Sequence, residues 1–376
     1  MCIAQTTSWG LLFYSLPAAV TPISQDTGWS DTAITGALSA GLVISAVAGL
    51  RVGSVLDARG PRTVMTLGAV IGVAALALVA WSPNLPMFYL AWLVAGFAQS
   101  AVLYPPAFAV ITRWYGPRRV GPLLTLTLVA GFASTLFAPL TAYLIGQFGW
   151  RTSYLIMAGI LAAVSVPLHA LFLNSTWSGT VGEPSAQQSR GEVRRVTRTR
   201  QFITLQVVMT VATFTLFAVT INLIPLLLDR GIAYSTAALA FGLVGAGQVV
   251  GRLGYPALAR RSTPQQRTLV VLGAGALGLW GLALLPGPTW LLVALAVGTG
   301  AARGCHTLLQ ATAVSDRWGT ENFGAINAVF AAPMTAVTAL APVSGPVLAG
   351  LVGGYPAMAV LMAVLLTATA AASIRT

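Results

Sequence analysis

Long apolar stretches separated by short polar gaps run along almost the whole chain. Twelve of them approach or exceed the roughly 20 residues that a helix needs to cross a lipid bilayer. They cover residues 3–24, 32–53, 63–82, 85–111, 121–147, 152–173, 202–228, 235–257, 268–286, 288–314, 323–350 and 355–373. Glycine and proline recur inside them, and membrane helices tolerate both because neighbouring helices satisfy the freed backbone groups. The pattern predicts an all-α membrane protein with twelve transmembrane helices.

The longest polar gap, residues 174–200, divides these stretches into six and six. It is rich in Ser, Gly, Gln and Arg and contains no apolar run. We therefore predict an N-terminal six-helix bundle at 1–173, a cytoplasmic linker at 174–200 and a C-terminal six-helix bundle at 201–376.

The two halves also share landmarks. A shift of 203 residues places Tyr115-Gly116 on Trp318-Gly319 and Ala138-Pro139 on Ala341-Pro342. Such coincidences favour a duplicated six-helix unit, as found in transporters whose halves are related by an axis along the membrane normal.

Composition supports the bilayer as the solvent of this chain. Charged residues make up 7% and hydrophobic residues 56% of the 376 positions, whereas soluble domains have about 25% charged residues. Mean hydropathy is +0.82. A soluble fold has too little polar surface here to cover itself.

The basic residues are unevenly distributed between the predicted loops. All 20 are arginine, and sixteen of them fall on the side of the N-terminus, against only Arg151 and Arg230 on the other side. The positive-inside rule then predicts a multi-pass protein of the plasma (inner) membrane with both termini in the cytoplasm.

The net charge of +12 does not indicate nucleic-acid binding, because the arginines are scattered through short gaps. The two cysteines, Cys2 and Cys305, form neither a metal motif nor a disulfide framework. No phosphate-binding loop, paired carboxylate or catalytic triad is present in the sequence. We expect no enzyme activity, catalytic residue, cofactor or metal.

The segment from Gly53 to Arg62, Gly-Ser-Val-Leu-Asp-Ala-Arg-Gly-Pro-Arg, resembles the loop signature of the major facilitator superfamily. The resemblance implies two six-helix bundles with alternating access to a central cavity. It also implies a conformational latch on the cytoplasmic side, formed by Gly53, Asp57, Arg59, Gly60 and Arg62. The alternative interpretation is a simple turn with arginines that obey the positive-inside rule.

Three short patches are similar to the monocarboxylate-porter and oxalate-antiporter branch of that superfamily. They are the run Phe13-Tyr-Ser-Leu-Pro17, the Gly-Pro-Arg ending at Arg62, and Gln248-Val-Val-Gly-Arg252. The branch implies an anion-binding arginine at Arg252. Its acidic residue four positions earlier is Gln248 here, and its first-helix lysine has no counterpart, so the proton-coupling pair does not carry over.

Arg252 and Arg303 lie inside apolar stretches, where a charge costs at least about 2.5–3.5 kcal/mol and therefore indicates function. A guanidinium matches a carboxylate with two parallel donors. We interpret both arginines as substrate-binding residues; the alternative is that they bond to backbone carbonyls and stabilise packing. His306, three residues after Arg303, is a proton-coupling candidate or a neutral hydrogen-bonding side chain.

Tyr14, Gln248, Asn222 and Asn327 are further candidates for the lining of the substrate cavity, with interhelical packing as the alternative. The predicted function is secondary active or facilitative transport of a small, monocarboxylate-like organic anion by a monomer. Protons are a candidate coupling ion and the lipid bilayer is the surrounding partner. Two rival hypotheses are an efflux transporter of drugs or hydrophobic compounds and a non-transporting membrane receptor or sensor.

Overall fold

The computed structural model describes residues 1–115, 118, 120–173, 194–318 and 323–375, and in this part of the chain the regular secondary structure is helical. Most of the predicted linker, residues 174–193, lies outside the described residues. The α-helices are α1 (Cys2–Trp9), α2 (Ser15–Thr27), α3 (Asp31–Arg59), α4 (Pro61–Trp81), α5 (Leu85–Val102), α6 (Tyr104–Tyr115), α7 (Val120–Ala130), α8 (Ala133–Phe172), α9 (Arg200–Ile221), α10 (Leu223–Leu228), α11 (Tyr234–Arg261), α12 (Pro264–Leu284), α13 (Thr289–Thr312), α14 (Ser315–Trp318), α15 (Phe323–Val352) and α16 (Tyr355–Ala372).

Ten stretches among the described residues are long and apolar enough to cross a membrane. One of them, Gly121–Phe172, has 52 residues, or roughly 78 Å of helix at 1.5 Å per residue. Its backbone leaves the helical conformation at Gly149, where φ is 72°. The first predicted stretch is split into α1, a π-helical turn at Gly10–Tyr14, and α2. The fold is that of a multi-pass helical membrane protein, and the count of twelve crossings stays a prediction.

The chain divides into two compact units. Unit 1 comprises Met1–Trp177, Asn222–Gly245 and Pro342–Val347, and unit 2 comprises Ser178–Ile221, Ala246–Ala341 and Leu348–Thr376. This division differs from the predicted six-helix bundles, because two segments of the second half belong to unit 1.

Hydrogen bonds inside unit 1 explain the position of those two segments. The Thr135 hydroxyl donates to the Gly242 carbonyl at 2.9 Å, and the Tyr234 hydroxyl donates to the Ala18 carbonyl. The backbone N–H of Val343 donates to the Ser39 hydroxyl at 3.2 Å. Segments 222–245 and 342–347 therefore pack on helices from the first half of the sequence.

The fourth predicted helix is broken at Leu103, between α5 and α6, and the cause is Pro106. A proline has no N–H, so Pro106 cannot donate to the carbonyl of Val102 four residues earlier. The buried side chain of Gln5 donates its amide to that carbonyl instead. Since an unsatisfied backbone group inside a bilayer costs several kcal/mol, this contact stabilises the break.

A second buried glutamine forms a hydrogen bond with the backbone of the first predicted helix. Gln99, on α5, donates to the carbonyl of Leu12 at 2.7 Å, inside the π-helical turn Gly10–Tyr14. Single π-helical turns inside α-helices are frequent at functional sites. The two glutamine bonds join α5 to the first helix at the irregular points of both.

The predicted signature loop is mostly helical. α3 continues to Arg59, so Gly53 lies within this helix, which extends beyond the predicted stretch 32–53. Gly60 makes the turn to α4 with φ of 77°, a conformation that favours glycine. Pro61 then begins α4, where its missing N–H costs nothing.

Glycines allow two pairs of helices to approach closely. In unit 1, a Cβ built on Gly96 would lie 2.0 Å from the Gly41 carbonyl oxygen. In unit 2, a Cβ on Gly251 would lie 2.0 Å from the Ala301 carbonyl oxygen, and one on Gly304 would lie 2.2 Å from that of Gln248. Small residues drive such contacts in membranes, where hydrophobic association is absent. The contacts hold α3 against α5 and α11 against α13.

A polar cluster holds the end of α2 in unit 1. Asp26 accepts from the Trp150 indole at 2.8 Å and from the Arg151 guanidinium at 2.6 Å. These two hydrogen bonds lower the pKa of the Asp26 carboxyl below its ordinary value. Arg151 also lies 4.1 Å from the centroid of the Trp150 ring. The cluster fixes α2 to the residues that follow the kink at Gly149.

The glycine contact of unit 2 predicts a difference between two substitutions on α11. Gly251→Ala places a methyl group against the Ala301 backbone and should destabilise the protein by about 1–3 kcal/mol. Gly254→Ala is the control, because nothing lies within 4 Å of its added Cβ. It should be neutral or stabilising by about 0.4–1 kcal/mol. Thermal unfolding in detergent measures both, and equal shifts would contradict the close approach of α11 and α13.

Candidate functional site

Two of the predicted site residues lie on one face of α13 in unit 2. Arg303 and His306 are separated by three residues, hence by less than one helical turn. Both are buried, with 3% and 2% of their surface exposed. A buried guanidinium and a buried imidazole therefore lie side by side in the middle of an apolar helix.

α9 supplies partners for both side chains. Arg303 donates to the Thr220 hydroxyl at 2.9 Å, and its guanidinium carbon lies 3.6 Å from the centroid of the Phe217 ring. His306 Nε2 lies 3.0 Å from the Thr213 hydroxyl. Thr213, Phe217 and Thr220 occur at spacings of four and three, so they share one face of α9. That face holds the guanidinium by stacking and hydrogen bonding, and the imidazole by one hydrogen bond.

The hydrogen bonds of Thr213 assign a tautomer to His306. The Thr213 hydroxyl has one proton, which it donates to the Met209 carbonyl at 2.7 Å. It then accepts from His306, so Nε2 carries the proton of the neutral ring. Nδ1 is buried and has no hydrogen-bond partner among the described residues. A ring nitrogen with an open lone pair can accept a proton or a hydrogen bond from a ligand.

Arg252 and Gln248 are buried on α11, the helix that packs against α13. Gly251 adjoins Arg252, and Gly304 adjoins Arg303, and both glycines form the close contact between the two helices. The Cys305 thiol also donates to the Gly251 carbonyl at 3.1 Å. Unit 2 therefore brings both predicted arginines to neighbouring turns of two tightly packed helices.

Acidic residues are absent from the sequences of the long helices of unit 2. α9, α12, α13, α15, α16 and the part of α11 in this unit contain no Asp or Glu. Asp316, on the short helix α14, forms an ion pair with Arg267 at 2.8 Å. The long helices of this unit thus carry buried positive charge and no negative side chain.

The other residues predicted to line the substrate cavity are divided between the two units. Asn327 is half-buried on α15 in unit 2. Asn222 is buried in unit 1, directly before α10, and packs against Gly345. Tyr14 is the last residue of the π-helical turn in unit 1 and is half-buried.

Tyr14 belongs to a cluster of aromatic side chains in unit 1, and it was predicted to line the substrate cavity. Trp9 lies 4.8 Å from Tyr104 between ring centroids, and Tyr104 stacks on Phe108 at 5.0 Å with an interplanar angle of 15°. Phe13 lies 5.0 Å from Tyr14. Phe13 and Tyr14 belong to the π-helical turn, and Tyr104 and Phe108 lie on α6, directly after the helix break at Leu103.

The latch residues are described only in part. The side chain of Asp57 lies outside the described residues. Arg59 and Arg62 are exposed, on either side of the turn at Gly60. The latch therefore stays a prediction for these positions.

The sequence analysis did not identify the α9 residues that contact Arg303 and His306. Their signal was present, since threonines recur on the Thr213 face within an apolar helix. Threonine is a poor indicator, however, because its hydroxyl usually donates to a carbonyl of its own helix, as Thr210 does.

Interrupted apolar helices with buried polar and charged groups define an integral membrane protein of the secondary-transporter type. The family model of the Major Facilitator Superfamily matches residues 1–332. The chain belongs to that superfamily, as its signature predicted.

Similar proteins include human monocarboxylate transporter 11, which is 30% identical over 315 residues. The match covers 80% of this chain and 64% of that protein, so the chain spans less than two thirds of its length. The gallate transporter of Pseudomonas putida is 28% identical over 353 residues, covering 81% of this chain and 77% of the transporter. The predicted likeness to the monocarboxylate branch is confirmed.

Solved structures with the same fold include a mutant form of the nucleoside transporter NupG and a D-xylose-proton symporter. The TM-scores are 0.77 and 0.72 at 16% and 14% identity. The alignments cover 100% and 98% of this chain, and 98% and 96% of those chains. They confirm the all-α major facilitator fold.

The contact between Arg303 and Thr220 predicts a difference between two buried threonines of α9. Thr220→Val removes an acceptor from a buried guanidinium and should destabilise the protein by about 1.5–3 kcal/mol. Thr215→Val is the matched control, because the Thr215 hydroxyl donates to carbonyls of its own helix. Thermal unfolding in detergent compares them. A smaller effect of Thr220→Val than of Thr215→Val would contradict the role of Thr220.

Proposed function

We propose that the protein transports a small organic anion of the monocarboxylate type across the membrane by alternating access. Arg303 and Arg252 bind the anion in this proposal, and Thr220 and Phe217 keep the Arg303 guanidinium oriented. The observation that carries it is the buried positive charge of unit 2, where the long helices have no acidic residue.

Electrostatics favours an anion over a neutral or cationic substrate. Burial of a cation is costly, and a carboxylate ligand lowers that cost through charge-assisted hydrogen bonds. The guanidinium is planar and fixed by its stacking on Phe217, so little side-chain entropy is lost when a carboxylate binds. A cationic substrate would meet repulsion from both arginines.

The relatives support the same substrate class. Both relatives described above are named for the transport of monocarboxylates or gallate, and gallate is itself a carboxylate. Gallate is also planar and aromatic, so an aromatic acid belongs in any substrate panel. Protons remain the candidate coupling ion, and facilitated diffusion and anion exchange remain alternatives.

Two other functions have weaker support. Export of drugs or other hydrophobic compounds would favour an apolar site, whereas unit 2 buries Arg252 and Arg303 on helices without an acidic residue in this unit. A non-transporting receptor or sensor has only the shared fold in its favour.

We further propose that both termini face the cytoplasm, supported by the arginine asymmetry between predicted loops. Protease sites placed at either terminus should resist external protease in intact cells and be cleaved after lysis. Cleavage in intact cells would contradict this orientation.

Substitution of Arg303 tests the transport proposal. In proteoliposomes, wild-type protein should take up radiolabelled lactate, oxalate or gallate in a saturable way. Arg303→Gln should reduce the uptake rate roughly ten- to hundredfold, since a hydrogen bond to a charged group contributes about 1.5–3 kcal/mol. Arg303→Lys should be intermediate, because it keeps the charge and loses the planar pair of donors.

The control for this experiment is Arg261→Gln, an exposed arginine at the end of α11. It should transport at the wild-type rate. Thermal unfolding of every variant separates loss of transport from loss of folding. Undiminished uptake by a folded Arg303→Gln protein would overturn the assignment of Arg303, and no anion uptake by the wild type would favour the efflux alternative.

His306 should affect proton coupling more than binding. His306→Gln should remove the stimulation of uptake by an inward proton gradient while exchange of labelled for unlabelled anion continues. His169→Gln is the control, because the other histidine lies in unit 1, where its Nδ1 lies 3.1 Å from the Met65 carbonyl. If gradient stimulation persists in His306→Gln, or exchange and stimulation fall together, His306 has no separate coupling role.

A further inference from the structure

A groove of about 510 Å³ lies in unit 1. Its lining includes Arg59 of the predicted latch and none of the proposed substrate-binding residues. It is lined by one face of α3, one face of α4 and two residues of α5. The α3 residues follow one another at spacings of three and four, from Ile44 through Val47, Arg51 and Val55 to Arg59. The groove therefore runs along α3 towards its C-terminal end.

The walls of the groove are apolar and uncovered by the described chain. Val47, Leu67 and Phe97 line it, and 61%, 54% and 45% of their surfaces are exposed. Apolar exposure is common on membrane helices, so exposure alone does not define a site. This surface differs from an ordinary lipid-facing wall in being concave and in containing two arginines.

Two of the described lining residues are charged, and both are arginines. Arg51 lies midway along the lining face of α3, and Arg59 lies at its end, next to the turn at Gly60. The described lining residues include no acidic side chain. The half of the groove from Arg51 to Arg59 is thus basic, whereas the half at Ile44 and Ile71 is aliphatic.

The length of the groove fits one leaflet of a bilayer. From Ile44 to Arg59 α3 advances fifteen residues, or about 22 Å at 1.5 Å per residue. One leaflet contributes about 15 Å of hydrocarbon, and the headgroup region lies beyond it. An aliphatic half followed by an arginine-bearing half therefore has the same order as the acyl chain and the headgroup of one lipid.

We propose that this groove is a binding site for an anionic phospholipid. One acyl chain lies along Ile44, Val47 and Ile71, and the headgroup phosphate lies between Arg51 and Arg59. Basic pockets between transmembrane helices bind anionic headgroups in this way, and each arginine near the surface attracts them. The chemistry selects a phosphate with negative net charge on a long chain, such as phosphatidylglycerol.

Native mass spectrometry of the full-length, delipidated protein tests the proposal, with phosphatidylglycerol and phosphatidylcholine of identical chains as probes. The wild type should prefer phosphatidylglycerol. The double variant Arg51→Gln/Arg59→Gln should lose that preference by about fivefold for each arginine. Leu67→Trp, which fills the groove, should weaken the binding of both lipids.

The matched control is Arg260→Gln/Arg261→Gln, two exposed arginines of unit 2, which should keep the preference. Thermal unfolding without lipid identifies any variant that fails to fold; if the double variant fails, each single variant should still show its fivefold loss. Equal binding of the two lipids by the wild type, or an unchanged preference in the folded variants, would overturn the proposal. Displacement of phosphatidylglycerol by equimolar oleate would overturn it in favour of a fatty-acid site.

Discussion

The charge of Arg303 is buried in a unit whose long helices have no acidic residue. Desolvation of an ion costs several kcal/mol, so a buried guanidinium needs partners within the protein. α9 supplies an aromatic face and a hydroxyl. Phe217 and Thr220 orient the guanidinium. The anion-transport proposal depends on this buried positive charge, since a substrate carboxylate would form charge-assisted hydrogen bonds with it.

The surrounding structure keeps the charge in place through contacts typical of membrane proteins. Glycines at 247, 251 and 304 bring the backbones of α11 and α13 together, which positions both arginines on neighbouring turns. In unit 1, buried glutamines satisfy the carbonyls at irregular points of two helices. The glycine contacts and the glutamine hydrogen bonds both follow from the bilayer environment. Inside a bilayer, polar groups must find partners within the protein.

The sequence predicted the features that depend on hydrophobicity and charge. The predicted apolar stretches overlap the observed helices, and ten stretches among the described residues are long and apolar enough to cross a membrane. The Asp57–Arg62 segment identified the superfamily. The burial of Arg252 and Arg303 also followed from their positions within long apolar stretches.

Features that depend on contacts between distant residues could not be predicted in this way. The π-helical turn at Gly10–Tyr14 and the contacts of Thr213 and Thr220 with α13 are examples. The second predicted stretch ends at Gly53, but α3 continues past it to Arg59. The positions of residues 222–245 in unit 1 depend on hydrogen bonds to Ala18 and Thr135, which no local pattern indicates.

Matched pairs of acids and amides test the central claim most directly. Lactate and lactamide, or benzoate and benzamide, are close in shape but differ by one negative charge. Calorimetric titration of the purified protein should detect binding of at least one acid and none of its amide, because only the acid offsets the charge of the buried arginines. Equal binding of an acid and its amide, or binding of amides alone, would contradict an anion site built on Arg303.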